Sequence, residues 1–299
     1  MKRKRLLLAV LLLVVALVGG AYALDPDQRL RGWIGGEPFF AGRSATAWRA
    51  DLAHAEPNVA TKTVEVLVAG KAASVPVLAN ALAGGTAEAR VRAADSLGRI
   101  GADARPAADA LIRSLDDGSP QVRVVAAQAL GELAPDVPTA VPALVKVFPR
   151  VEAIRAVAKY KTAGAEAVPA LVALLPNEDI VVRWNALRAL GKIGPPAAAA
   201  IPAMLPYLID VNDVVREHAA EALGDIGPAS ASVLPELAKL LNDPSARVRR
   251  DTVRAFGDIG PGAKAYLGEV QRLQQDEDAE VKDAAKRAER QINGVPAKK

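Results

Sequence analysis

The stretch VVREHAAEALGDIGPA, residues 214–229, decides the fold. Its apolar residues recur at helical spacing, yet it carries Gly224, Gly227 and Pro228. It also holds His218, preceded by Glu217 and followed one turn later by Glu221. The segment is either a reactive site or a structural unit, and its neighbours choose between the two. Close copies begin at Arg90 (RVRAADSLGRIGADA), Arg123 (RVVAAQALGELAPDV), Arg183 (RWNALRALGKIGPPA) and Arg249 (RRDTVRAFGDIGPGA). A residue set that returns along a chain is a spacer before it is a catalyst.

The period is 33 residues. Gly98, Gly131, Gly191, Gly224 and Gly257 form one column, with steps of 33, 60, 33 and 33. Pro76, Asp109, Pro142, Pro169, Pro202, Pro235 and Gly268 form a second, with a single step of 27 between Pro142 and Pro169. One unit is therefore six residues short, within VKVFPRVEAIRAVAKYKTAGAEAV. Each unit reads as two helices. Val122, Ala126, Ala129, Leu130 and Leu133 make one apolar stripe. The second helix starts at the proline of PALVKVF, PALVALL, PAMLPYL and PELAKLL, where a missing N–H costs nothing. Ser119-Pro120 and Asp243-Pro244 read as matching starts of first helices. Gly227-Pro228 reads as a first-helix stop, with glycine in the left-handed conformation. Gly224, one turn earlier, implies that a neighbouring backbone comes close.

The unit (D/P)-x-x-V-R-x-x-A-A-x-A-L-G-x-I-G-P-x-A-x-x-A-x-P-x-L-x-x-L-L resembles the HEAT repeat, nearest its short form named after phycobilisome lyases. The resemblance covers roughly residues 57–293 and fades at 57–83. It implies an all-α, right-handed solenoid of about seven helix pairs over residues 44–293, with second helices lining the concave side. It also implies that the recurring arginines Arg90, Arg123, Arg183, Arg216 and Arg249 pair between units. Asp117, Asp179, Asp213 and Asp243 stand just upstream as candidate partners. HEAT proteins mostly bind other proteins.

The chain has 299 residues, 51% of them hydrophobic but only 4% aromatic, which suits helices packed through small side chains. With no cysteine, thiolate catalysis and cysteine-ligated zinc are excluded. The net charge of +4 comes from Lys2, Arg3, Lys4 and Arg5, which leaves 34 basic and 34 acidic residues elsewhere. A neutral body argues against nucleic-acid binding, which depends on neutralising phosphates. No cofactor is expected, and no metal. The only histidines are His54 and His218, too few for the imidazole-rich di-iron centre of some HEAT-like enzymes. His218 shares a column with Arg92, Val125, Asn185 and Asp251 that reads as solvent-facing. No G-x-S-x-G, S-x-x-K or phosphate loop occurs.

Residues 1–24 combine four basic residues with an uncharged run from Leu6. Leu6–Val18 alone spans about 20 Å, and Ala21-Tyr22-Ala23 suits cleavage of a signal peptide. Extended to Leu24, the run spans about 28 Å and can anchor the chain in a membrane. Either way residues 25–299 are expected outside the cytoplasm. Residues 25–43 read as a linker or N-terminal cap, with Trp33, Phe39 and Phe40 packing onto the first helices. Residues 294–299 read as a loose tail.

The expected function is a non-enzymatic protein-binding scaffold. An accessory or lyase-like role on a protein-bound cofactor is the alternative, and nucleic-acid binding a weaker one. The expected contact surface is a stripe four residues past each second-helix anchor: Arg113, Lys146, Lys239 and Arg272, with Pro206 and neighbouring Tyr207 at an apolar centre. Trp184 replaces Val91, Val124, Glu217 and Arg250 of other units and is a candidate hot spot.

Overall fold

The structure, a computed structural model, describes residue 25 and residues 27–295. The signal or anchor run and residues 296–299 of the tail lie outside them. Among the described residues no helix is long and apolar enough to cross a membrane. The chain forms two compact units, Met1–Leu133 and Ala134–Lys299.

The first unit opens with α1 (Arg29–Ile34) and a two-stranded hairpin, β1 (Phe39–Phe40) and β2 (Arg43–Ser44). This segment is folded rather than a linker. Asp25 accepts the backbone N–H groups of Arg29 and Leu30 at 2.8 and 2.7 Å. The Trp48 indole donates to Phe40 O at 2.9 Å, and the Phe40 and Trp48 rings lie 5.7 Å apart. Phe40 therefore packs on Trp48, while Trp33 stands 76% exposed. Then follow α2 (Ala45–Leu52), α3 (Pro57–Ala69), α4 (Val75–Gly84), α5 (Ala87–Ile100), α6 (Ala108–Arg113) and α7 (Pro120–Glu132). α4 packs on α5, and α5 on α7.

The second unit contains α8 (Val141–Lys146), α9 (Val151–Lys159), α10 (Val168–Leu174), α11 (Ile180–Ile193), α12 (Ile201–Met204), α13 (Asp213–Ile226), α14 (Leu234–Lys239), α15 (Ala246–Ile259), α16 (Leu267–Arg272) and α17 (Ala279–Ile292). First helices α9, α11, α13, α15 and α17 lie side by side in that order. The six-residue deletion falls in a first helix, since α9 has 9 residues where α11, α13, α15 and α17 have 14. The second helices are short. Each starts one residue before its column position, a proline in all but α6 (Asp109) and α16 (Gly268), and is preceded by a 3-10 segment such as Gly227–Val233.

The glycines have two jobs. Gly227 has φ 81° and ψ −143°, so it ends α13 in an extended mirror-image conformation rather than the left-handed helical one expected. Gly224 lies where α13 meets α15, and a Cβ built on it would sit 2.7 Å from Ala255 Cα. Gly191 stands in the same relation to Ala222. Alanine columns thus face glycine columns, which explains an apolar content so poor in aromatics.

Two local readings need correction. Asp243-Pro244 does not start a helix, because α15 begins at Ala246 with Ser245 as its cap. The column of Arg92, Val125, Asn185, His218 and Asp251 is not solvent-facing. Asn185 and Asp251 are buried and His218 half-buried, because the next first helix covers that side.

Candidate functional site

The turns that join each second helix to the next first helix are built alike. Asp210 Oδ1 accepts Asn212 N at 2.8 Å, Asp243 Oδ1 accepts Ser245 N at 2.9 Å, and Asp276 Oδ1 accepts Asp278 N at 2.9 Å. An arginine six residues on clamps the turns at Asn177, Asp210 and Asp243 from within, while the Asp276 turn has Lys282 at that place. Arg183 donates to Asn177 O at 2.8 Å, Arg216 to Asp210 O at 2.8 Å and Arg249 to Asp243 O at 2.9 Å.

The same arginines reach the next turn's carboxylate. Arg216 grips Asp243 with two bonds of 2.8 and 2.9 Å, and Arg249 grips Asp276 likewise. Arg183 lies 3.6 Å from Asp210. In the first unit Arg90 holds Asp117 at 2.7 and 2.8 Å. Four of the five recurring arginines thus pair between repeats, each with a carboxylate 27 residues downstream. Asp179 instead caps α11 through Val181 N, and Asp213 accepts the Ser245 hydroxyl. Among the described residues Arg123 makes no ion pair, and donates to the carbonyls of Asp117 and Gly118.

Two adjoining turns of the second unit carry an apolar surface on this frame. Val211 is 98% and Ile209 78% exposed, and Ile180 and Val181 are also exposed. Arg183 ties the two turns together, since it bonds Asn177 O and Glu178 O of one and pairs with Asp210 of the other. Tyr207 sits at the same clamp. Burial pushes its phenol up, while Arg183 opposes and Asp210 reinforces the shift. Pro206 beside it is exposed. The positions equivalent to Ile209 and Val211 are Asn242 and Pro244, then Gln275 and Glu277. The apolar edge is confined to two turns. Its signal was in the sequence, as hydrophobic residues in columns that are otherwise polar or proline.

The residues of the expected stripe stand at helix ends. Lys146, Lys239 and Arg272 occupy the last turns of α8, α14 and α16, all exposed, and Arg272 donates to Asn242 Oδ1 at 2.9 Å. Arg113 is exposed in the last turn of α6, in the first unit. Trp184 is half-buried. Its ring lies 4.8 Å from that of His218, with the Arg155 guanidinium 5.6 Å from its centroid. It packs among α9, α11 and α13 instead of standing free. His218 Nδ1 lies 2.9 Å from Val214 O of its own helix.

Sequence reasoning missed a second cluster, between α13 and α15. Glu217 and Asp251 are buried among arginines: Arg247 and Arg250 reach Glu217 at 2.6 and 3.3 Å, and Arg250 and Arg254 reach Asp251 at 2.9 and 3.1 Å. Burial raises the Glu217 carboxyl despite these partners. Among the described residues no group of three or more His, Asp or Glu side chains is placed to hold a metal.

A family model described as HEAT repeats matches residues 75–150, 148–224 and 201–289. An engineered protein of known crystal structure is similar at 23% identity with a TM-score of 0.54, over 83% of this chain and 78% of its own. A second engineered protein is 22% identical over 84% of this chain and 97% of its own, with a TM-score of 0.41. The first likeness is one of fold alone. No curated protein matches the chain.

Proposed function

The chain belongs to the HEAT-repeat family, and from that premise we propose that it is a non-enzymatic scaffold that binds a protein partner through the apolar turn edge of its second unit. The observation that carries this reading is Ile209 and Val211, 78% and 98% exposed on turns held rigid by arginine–aspartate clamps. Apolar side chains fixed on an ordered frame lose little entropy when a partner covers them. Tyr207 and Pro206 extend the patch, and aromatic residues of this kind anchor interfaces. Lys146, Lys239 and Arg272 supply a basic rim that steers an acidic partner surface. The scaffold acts outside the cytoplasm in our reading, with residues 6–24 as its membrane anchor.

The test is capture from a cell-envelope extract, with the parent chain and a double Ile209→Asp, Val211→Asp variant as baits. The variant is expected to melt with the parent, since exposed substitutions of this kind change stability by about 0.5 kcal/mol or less. It is expected to lose the partner. Equal capture by both would remove the apolar edge from the function. A variant with Arg113, Lys146 and Lys239 all changed to Glu is expected to keep the same partner but bind it more slowly, with a weaker dependence on salt. Unchanged association kinetics would reduce the stripe to a solvated edge.

A further inference from the structure

The N-terminal cap, which follows the uncharged run in the sequence, leaves an apolar face open. Trp33 is 76% and Ile34 61% exposed, adjacent residues at the end of α1, and Phe39 is exposed on the hairpin that follows. Their exposure is built into the packing. Gly32 is buried against the hairpin, where a Cβ would sit 2.5 Å from Ser44 Cβ and 3.0 Å from the Phe39 ring. That contact turns Trp33 and Ile34 away from the protein. Glu37 N donates to Gly32 O at 2.9 Å and fixes the end of the helix.

The start of α1 is fixed as firmly. Asp25, the first residue after the run, caps the helix through Arg29 N and Leu30 N, and Gln28 N donates to Asp25 O at 3.1 Å. Residues 25–32 alone separate the run from Trp33 in the sequence. Eight residues of turn and helix span about 15 Å. An exposed Trp-Ile pair that close to the end of an uncharged run of membrane length is held within reach of the headgroup layer. Tryptophan is favoured in that layer, where its ring meets the acyl boundary and its N–H meets water.

We propose that Trp33 and Ile34 form an interfacial foot that inserts into the lipid surface and sets the first unit against the membrane. The proposal rests on the reading of residues 6–24 as an uncut anchor. The occupant of this face is a phospholipid surface, because the tether brings bilayer to it at high effective concentration whatever protein is near.

The test uses the full chain reconstituted into phosphatidylcholine–phosphatidylglycerol vesicles, with acyl chains either plain or brominated near the headgroup. Bromine quenches tryptophan at short range. The chain has three tryptophans, and Trp48 and Trp184 are packed within the protein. The expected result is that the chain floats with vesicles, that brominated lipid dims its emission, and that Trp33→Ala floats equally but is no longer dimmed. Trp33 is too exposed for its loss to unfold the unit, and the circular dichroism of the variant checks this. A parent chain that floats with undimmed emission, or equal dimming in Trp33→Ala, overturns the foot and leaves the anchor standing. A chain that does not float overturns the anchor reading and the foot with it.

Discussion

Replacing Gly224 with alanine is expected to destabilise the protein by about 1–2 kcal/mol, against the rule for glycine in helices. Helix propensity alone favours alanine over glycine by about 1 kcal/mol. Here the added Cβ would sit 2.7 Å from Ala255 Cα and 2.9 Å from its Cβ. These are backbone and first-carbon atoms of α15, which cannot rotate away. The two helices must part, which puts the overpacking cost toward the upper end of about 1–3 kcal/mol, and the propensity gain offsets about 1 kcal/mol of it. Gly191→Ala is expected to behave alike, since its Cβ meets Ala222 Cα at the same 2.7 Å. Gly98→Ala, at 3.1 Å from Ala129 Cα, is expected to lose less. Gly268→Ala is the internal control, because nothing lies within 4 Å of its built Cβ and only the propensity gain remains. Urea unfolding followed by circular dichroism ranks the four. If Gly224→Ala proved as stable as the parent, close helix contact would not explain the glycine column.

This column shows what a sequence of this type makes legible. Period, helix pairing, the position of the short unit and the need for a side-chain-free column all follow from spacing along the chain. The partners of the arginines do not. Arg216 has Asp213 three residues upstream and Asp243 27 residues downstream, and only the stacking of repeats decides for Asp243. The same limit misplaces the column of Asn185 and Asp251. Helical periodicity identifies the polar side of a helix, but not the part of that side covered by the next repeat. It also leaves Asp243-Pro244 ambiguous, because an aspartate before proline serves equally as a helix cap or as the closure of a turn. Ile209 and Val211 were readable in principle. They break the polarity of their columns, but a contact stripe sought only on the second helices passes them by.

The second large effect is expected at Asp243. Its side chain is 7% exposed, accepts two bonds from Arg216 and one from Ser245 N, and so holds two repeats and one turn together. Asp243→Ala is expected to cost about 3 kcal/mol, because it leaves the Arg216 guanidinium with no carboxylate in a largely buried place. The loss should depend on pH with a definite sign. Burial alone would raise the Asp243 carboxyl, but the Arg216 and Ser245 bonds outweigh it and hold it below the ordinary value. A carboxyl lowered on folding adds stability that is complete above the unfolded pKa, about 3.9, and disappears as pH falls through the folded pKa. Asp276, held down by Arg249, adds in the same direction. Glu217 acts oppositely. Burial raises it, so its contribution to stability grows as pH falls through its folded value and is absent at neutral pH. The gap in urea midpoint between parent and Asp243→Ala should therefore be widest at neutral pH, begin to narrow below about pH 4, where the unfolded chain takes up the proton, and close only as pH falls through the lower folded value. An equal gap at every pH would mean that Asp243 holds the turn by shape and hydrogen bonding, and that the ion pair with Arg216 adds nothing to the stacking of the repeats.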